Sequence, residues 1–336
     1  MTTYEQATSA IRAPLPSEPS LRDLVRFATL APNSHNTQPW KFRLTEDAID
    51  ILPDFSRRTP AVDPDDHHIF VTLGCAAENL LIAANASGRP ADISVETGEP
   101  DTHIRVSLGR GIPNEKELCS AIPARQSTRS DYDGNGVGAE ELAKLAHSAL
   151  MPGVQALFLT EQSKLEAVLE FIVQGNSAQV DDAAFVRELK SWLRFNADSA
   201  IETGDGLFAK CSGNPALPAW AGSFMFDRVF TKEAENKKIT RQMRSSAGVV
   251  VFVAETNTPE GWIQVGRSFE RFALQATVLG IRHAHMNMPI EVAALRPAFA
   301  DWLGMPGQRP NLVIRFGRAP PMPMSMRRAL DNVIVV

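Results

Sequence analysis

Residues 70–88 (FVTLGCAAENLLIAANASG) and 262–280 (WIQVGRSFERFALQATVLG) align without a gap at a constant offset of 192. Gly74 meets Gly266, Glu78 meets Glu270, Ala84 meets Ala276 and Gly88 meets Gly280. Phe70/Trp262, Val71/Ile263, Leu73/Val265 and Leu80/Phe272 match in apolar character. Each stretch reads as a long helix with a wide apolar face and a glycine as its C-terminal stop. The early glycine in each suggests the close approach of another helix. Such a repeat points to two like halves, each built on one long helix. Strand patterns surround the helices at 49–52, 92–96 and 104–108, and again at 154–159, 247–254 and 311–316. Further helices are expected near 139–150, 162–177, 184–200 and 291–303. This mixture predicts an α+β protein whose sheets are covered by long helices. Gly111, Pro113 and Asn114 break the pattern. The halves are therefore expected at 1–116 and 117–336, with the excess length of the second in a lid-like insertion over about 185–245.

Composition removes several classes of function. A net charge of −5 over 336 residues gives no general nucleic-acid footprint. No apolar run approaches the roughly 20 residues of a membrane span, and Tyr4, Glu5 and Gln6 interrupt any signal-peptide core. A cytoplasmic protein without nucleic-acid or membrane partners is expected. Cys75, Cys119 and Cys211 are too far apart for a disulfide framework or a zinc cluster and read as buried small residues.

The densest chemistry lies at 31–42, Ala-Pro-Asn-Ser-His-Asn-Thr-Gln-Pro-Trp-Lys-Phe. An amphipathic helix carrying Leu21, Leu24, Val25, Ala28 and Leu30 precedes it, and Pro32 stops that helix. Trp40, Phe42 and Leu44 then alternate as a strand. A rigid polar loop is thus held between two buried elements. Its Asn36 and Gln38 amides both donate and accept, which suits the edge of a heteroaromatic ring. A self-bonded helix-to-strand connection is the alternative.

Three further groups stand out. Arg125, Ser127 and Arg129 alternate, so extended backbone sets them on one side as a phosphate clamp; a solvated arginine turn is the alternative. Arg327-Arg328 follow a proline-rich stretch in the tail. Met288-Pro289-Ile290-Glu291 follows the second repeated helix and its strand, and reads either as a turn offering backbone amides or as a plain helix start. There is no glycine-rich dinucleotide fingerprint, phosphate loop or nucleophile elbow. The pairs His67-His68 and His283/His285 lack a third ligand at metal spacing, so no metal is expected.

Together these motifs resemble the nitroreductase-like FMN flavoprotein superfamily, and in particular its double-length, Acg-type branch. There one chain carries both halves of the usual dimer. The resemblance implies an internally duplicated pseudo-dimer of two α/β sandwich halves around long central helices. It implies FMN as cofactor, NAD(P)H as electron donor and a small-molecule acceptor such as a nitroaromatic or quinone, reduced by ping-pong at flavin N5. Arg125, Ser127 and Arg129 match the family's phosphate motif, and Arg327 and Arg328 its terminal basic residues. Pro289, Ile290 and Glu291 match the segment whose amide faces N5. Gln38, Pro39, Trp40, Lys41 and Phe42, with Asn36, match the early loop and strand. Because the flavin carries the chemistry, no catalytic side chain is expected. The first half lacks the phosphate arginines and the second lacks the Asn-x-Gln-Pro-Trp loop, which implies one composite FMN site per chain. Trp192, Phe195, Phe208, Trp220, Phe224 and Phe226 in the insertion could close over the flavin, so a non-catalytic flavin store is the rival expectation. A further homodimer stays open.

Overall fold

The structure is a computed structural model and describes residues 1–98 and 102–335. The first part holds α1 (Thr3–Ile11), α2 (Leu21–Ala28), β1 (Trp40–Leu44), β2 (Ala48–Pro53), α3 (His67–Ala86), β3 (Ala91–Glu96), β4 (His103–Leu108) and α4 (Lys116–Ala121). Then come α5 (Ala139–Ser148), β5 (Val154–Leu159), α6 (Gln162–Asp181), α7 (Ala183–Ser191), β6 (Leu193–Arg194), α8 (Ala197–Thr203), β7 (Leu207–Phe208), α9 (Ala219–Val229) and α10 (Lys232–Arg244). The chain ends with β8 (Gly248–Ala254), α11 (Pro259–Val278), β9 (Arg282–His285), α12 (Met288–Glu291), α13 (Arg296–Trp302), β10 (Pro310–Gly317) and β11 (Ile334–Val335).

The repeated helices α3 and α11 make the most extensive contact between elements. Their glycines explain why. A Cβ on Gly74 would lie 2.1 Å from the Ile263 carbonyl oxygen, and a Cβ on Gly266 would lie 2.0 Å from that of Val71. The contact is reciprocal at the 192-residue offset, the pattern of a two-fold interface. Both helices bury leucine, isoleucine, valine and phenylalanine in one core with the inner faces of two sheets.

The sheets share a strand order. One runs β1-β2-β4-β3 and the other β5-β8-β10-β9, with β11 added beside β1 in the first. The first sheet buries one face only: Asp50 pairs on the other with Arg43 and Arg105. The second is covered on both faces, its outer side by α6, α10, α12 and α13 in a separate core. Hence β8 (GVVVFVA) is apolar throughout, as a doubly covered strand must be.

Three expectations change here. Where β1 and β2 are joined by a short turn, β5 and β8 enclose α6 to α10, so the added segment starts well before residue 185. α6 had looked like part of the repeated core because its inner face is apolar. The tail also leaves the second half: Phe42 pairs with Ile334, parallel, in the first sheet. The expected absence of an apolar run near membrane length does not hold either. α3 is 20 residues long and contains an 18-residue window of mean hydropathy 1.5, but that window is mostly buried and α3 is a core helix.

Candidate functional site

The loop after α2 is shaped by three non-glycine residues with positive φ: His35 (48°), Asn36 (56°) and Gln38 (54°). Such conformations cost energy and persist only where the surroundings enforce them. The enforcing bonds are visible. The Gln38 N–H donates to Asn33 Oδ1 at 2.8 Å. Gln38 Nε2 donates to the Gly204 carbonyl at 2.9 Å, and its Oε1 accepts from the Arg328 N–H at 2.8 Å. Asn36 Nδ2 donates to the carbonyls of Gly206 (3.0 Å) and Met326 (3.3 Å), while its Oδ1 accepts from Arg327 Nη1 (3.1 Å). Both amides expected at a ring edge are therefore spent on the chain itself. They clamp the Gly204-Asp205-Gly206 turn and the tail onto the loop. Arg57 and Arg194 both grip Asp205 and complete this clamp.

Two cavities meet beside the clamp, sharing Pro32, Asn33, Arg129 and Leu207 as lining. The smaller, about 50 Å³, is lined by Arg12, Arg125, Ser127, Arg129 and Arg327 among others, with no carboxylate on its wall. Arg327 is buried and satisfied: its guanidinium donates to the carbonyls of Thr29, Leu30, Ala31 and Met326 as well as to Asn36. It thereby caps the carbonyl end of α2. Arg125 Nη2 donates to the Leu30 carbonyl at 2.6 Å, and its Nε lies 3.2 Å from Oε1 of the buried Glu270. Arg129 differs from both. Its side chain has no hydrogen-bond or ion-pair partner among the described residues, yet it lines both cavities. Burial and neighbouring Arg125 push the Arg12 guanidinium down to about 10, still a cation at neutral pH.

The larger cavity, about 290 Å³, is walled by Asn33, Ser34, His35, His68, His285, Asn287, Met288 and Glu291. From the added segment, Phe185, Leu189, Leu207 and Phe230 cover it. Burial, and then the nearby Arg129 cation, push His35 down to about 4 and His285 to about 3. Both rings are thus neutral hydrogen-bonding groups at physiological pH. Glu291 is raised by burial and accepts from Gln179 Nε2 at 2.6 Å. A long ligand with an anionic end and a polar aromatic end matches this pair of cavities.

The structure brings together Arg125, Ser127, Arg129, Asn36 and Arg327 around the smaller cavity and sets Glu291 on the larger. Gln38, Pro39, Trp40, Lys41, Phe42, Pro289, Ile290 and Arg328 line neither. Trp40 and Phe42 are core residues, because alternate residues of β1 face α3 and the inner sheet. Lys41 leans toward Asp54 at the surface, and Arg328 turns to the Gln38 and Asn332 carbonyls. The Glu291 N–H is engaged within its own turn, donating to the Asn287 carbonyl at 2.9 Å. Of the insertion aromatics expected over the site, none lines the larger cavity; Trp220 and Phe224 are exposed and Phe195 packs on Gly222. Arg12, Asn33 and the cavity histidines escaped the sequence reading. Arg12 is more than a hundred residues from Arg125, and nothing local marks it.

Asp63 joins His67 and His68 as a group whose ligand atoms lie within 4.8 Å of one another. Its carboxylate accepts the His68 N–H at 2.9 Å, near the start of α3, and His67 Nε2 pairs with Asn311 at 3.0 Å. Asp63 thus holds the start of α3, His67 is held by Asn311 of β10, and the His68 ring lines the larger cavity. Cys75, Cys119 and Cys211 are all free and buried.

No protein-family model matches the chain. It is 24% identical over 340 residues to "Putative NAD(P)H nitroreductase Rv3131" of Mycobacterium tuberculosis, covering 97% of this chain and 94% of that protein. It is 21% identical over 325 residues to "Putative NAD(P)H nitroreductase acg" of the same organism, covering 94% and 95%. Among solved structures, a "putative nitroreductase" from Anabaena variabilis superposes with a TM-score of 0.53 at 9% identity, over 94% of this chain and 91% of that one.

Proposed function

We propose that this chain, nitroreductase-like in its fold and in its full-length relatives, is an FMN-dependent oxidoreductase. It would use NAD(P)H to reduce nitroaromatic or quinone-like acceptors in ping-pong fashion. One observation carries the reading: Arg129, without a side-chain partner among the described residues, stands at the junction of an arginine-walled pocket and a larger polar cavity. That donor set fits a phosphate monoester at one end and a flavin ring at the other. When bound, FMN supplies two-electron transfer from reduced nicotinamide to an acceptor.

The chain's own residues would do the rest. Arg12, Arg125, Ser127 and Arg129 would hold the phosphate. Arg327 would shape the pocket through the end of α2 and present its edge to the anion. Asn36 and Gln38 would act at one remove, by fixing the loop and seating Leu207 over the junction. His35, His68 and His285 would offer neutral hydrogen bonds around the ring, and Glu291 would wall the cavity beside them. Phe185, Leu189 and Phe230 would exclude water. In this reading the halves are a duplication, at 1–116 and 117–336 apart from the exchanged tail, and one FMN binds per chain.

Flavin released by heat and quantified against protein should come to one per chain; a value near two would contradict the composite site. Steady-state NAD(P)H oxidation with menadione or a nitrofuran tests the activity. The cover contributed by α7, β7 and the turn after α9 favours a second reading, flavin storage. A bound flavin that dithionite reduces and NAD(P)H does not would select it.

A further inference from the structure

Glu270 is fully buried on α11, and among the described residues neither carboxylate oxygen has a well-aligned hydrogen-bond donor, the Asn79 amide being the nearest. Its one close cation is Arg125, 3.2 Å away at Nε, and Arg125 also lines the phosphate-sized pocket. Its other polar neighbours are few. α3 presents Cys75, Glu78 and Asn79, and the tail presents Arg327. On β9, His283 lies beyond Arg125, and burial there keeps its ring neutral. A carboxylate so placed depends chiefly on one guanidinium for its charge, with the Asn79 amide and Arg327 as lesser supports. That guanidinium is also what an incoming anion would claim.

We propose that Glu270 regulates the charge of this pocket: when a phosphate dianion binds Arg125, Glu270 takes up one proton from solvent. The inference rests on the FMN reading above. Above about pH 7 the Glu270 carboxylate and Arg125 form an ion pair in the empty pocket. The incoming phosphate brings two negative charges to the same cation, and a buried carboxylate beside them is strongly disfavoured. A proton from the buffer acid adds to one carboxylate oxygen, leaving a neutral acid behind Arg125. Burial already raises Glu270 to about 7 in the empty protein, so little further field is needed. By linkage, phosphate-ester affinity then falls as pH rises above about 7, because the proton becomes scarcer.

The equivalent glutamate provides the control. Glu78 is paired with Arg267 and Arg271 and lies outside both cavities. It meets no incoming anion there and acts on Glu270 only as a neighbouring negative charge.

The test is calorimetric titration of FMN into flavin-free full-length protein near pH 8, in two buffers of different ionisation enthalpy. The dependence of the measured heat on the buffer counts protons. The expected uptake is about 0.9 proton per FMN, and near zero for riboflavin, which lacks the phosphate. E270Q should bind FMN with no uptake, whereas E78Q should retain it. From about pH 7.5 to about pH 8.5 the wild-type Kd should rise roughly five- to tenfold, and that of E270Q less than about twofold. FMN binding without proton uptake overturns the proposal and leaves the FMN reading standing. So does equal uptake with riboflavin, which would place the proton at the ring end. Failure to bind FMN at all overturns both. The wild-type measurement decides even if E270Q does not fold.

Discussion

Glu78 and Glu270 occupy equivalent places on α3 and α11, yet their surroundings are opposite. On one side of the helix pair, Arg267 and Arg271 of α11 reach across to Glu78, at 2.8 and 2.5 Å, and Arg271 continues to Glu115. The offset of 192 equates Arg267 with Cys75 and Arg271 with Asn79. On the other side, therefore, α3 offers only a thiol and an amide, and Glu270 takes its cation from Arg125 in the loop beyond α4. Beside Glu78 lies an open groove of about 1060 Å³ whose floor is this closed ion-pair network. Beside Glu270 lies a small pocket with arginines to spare. A nearly symmetric frame thus becomes one-sided through the side chains at two positions. Opposite charges that satisfy each other leave nothing for a ligand.

The largest effect should come from the symmetric part. G74A and G266A each force a methyl group against a carbonyl oxygen of the facing helix and should each cost at least about 3 kcal/mol. Because both report on one contact, the double variant should cost less than their sum; urea unfolding of the three proteins measures this. Full additivity would mean that the two glycines do not share an interface.

The next effects separate two arginines of the functional side. R327A removes the cap of α2 and strands several buried carbonyls, so it should destabilise the empty protein by about 3 kcal/mol or more. R129A removes a side chain with no partner. It should leave the empty protein within about 0.5 kcal/mol of the wild type, while weakening FMN binding roughly ten- to hundredfold. Equal effects on stability would erase the distinction between the residue that builds the pocket and the one that waits in it.

The smallest effect depends on pH. The folded state holds the Glu270 proton up to about pH 7, whereas an unfolded glutamate releases it near pH 4.3. Wild-type stability from this group is present below the unfolded value and is lost as pH rises through about 7. Gln cannot titrate, so the stability difference between E270Q and wild type should shift in favour of E270Q from about pH 5 to about pH 8. Thermal unfolding across that range reads it. A difference independent of pH would show that Glu270 holds the same charge in both states.

The frame was legible because it is written in periodicity. The strand runs and the two glycine-bearing helices announced themselves, and Arg125, Ser127 and Arg129 do converge on one pocket. The misreadings share one cause. Gln38 and Arg328 carry the right chemistry for a ligand, but each finds a partner far away in sequence, and a satisfied donor looks the same as a free one in a string of letters. Arg12 failed in the opposite way: an arginine at the end of an ordinary helix acquires meaning only when the fold carries it beside Arg125 and Arg327. The insertion aromatics were judged by their number, whereas cover is supplied by whichever faces point inward, here Phe185, Leu189 and Phe230.

The pairing of β11 with β1 has a consequence for biosynthesis. Residues at positions 12, 36, 125 and 327 meet at one point, and the last of them is delivered by a tail that must return to the first sheet. During translation the early loop, held in three unfavourable backbone conformations, has no clamp until residues 204–206 and 326–328 have been made. The early loop and the tail therefore stand or fall together: a variant without residues 325–336 would lose Arg327, Arg328 and β11 at once while keeping most of its core.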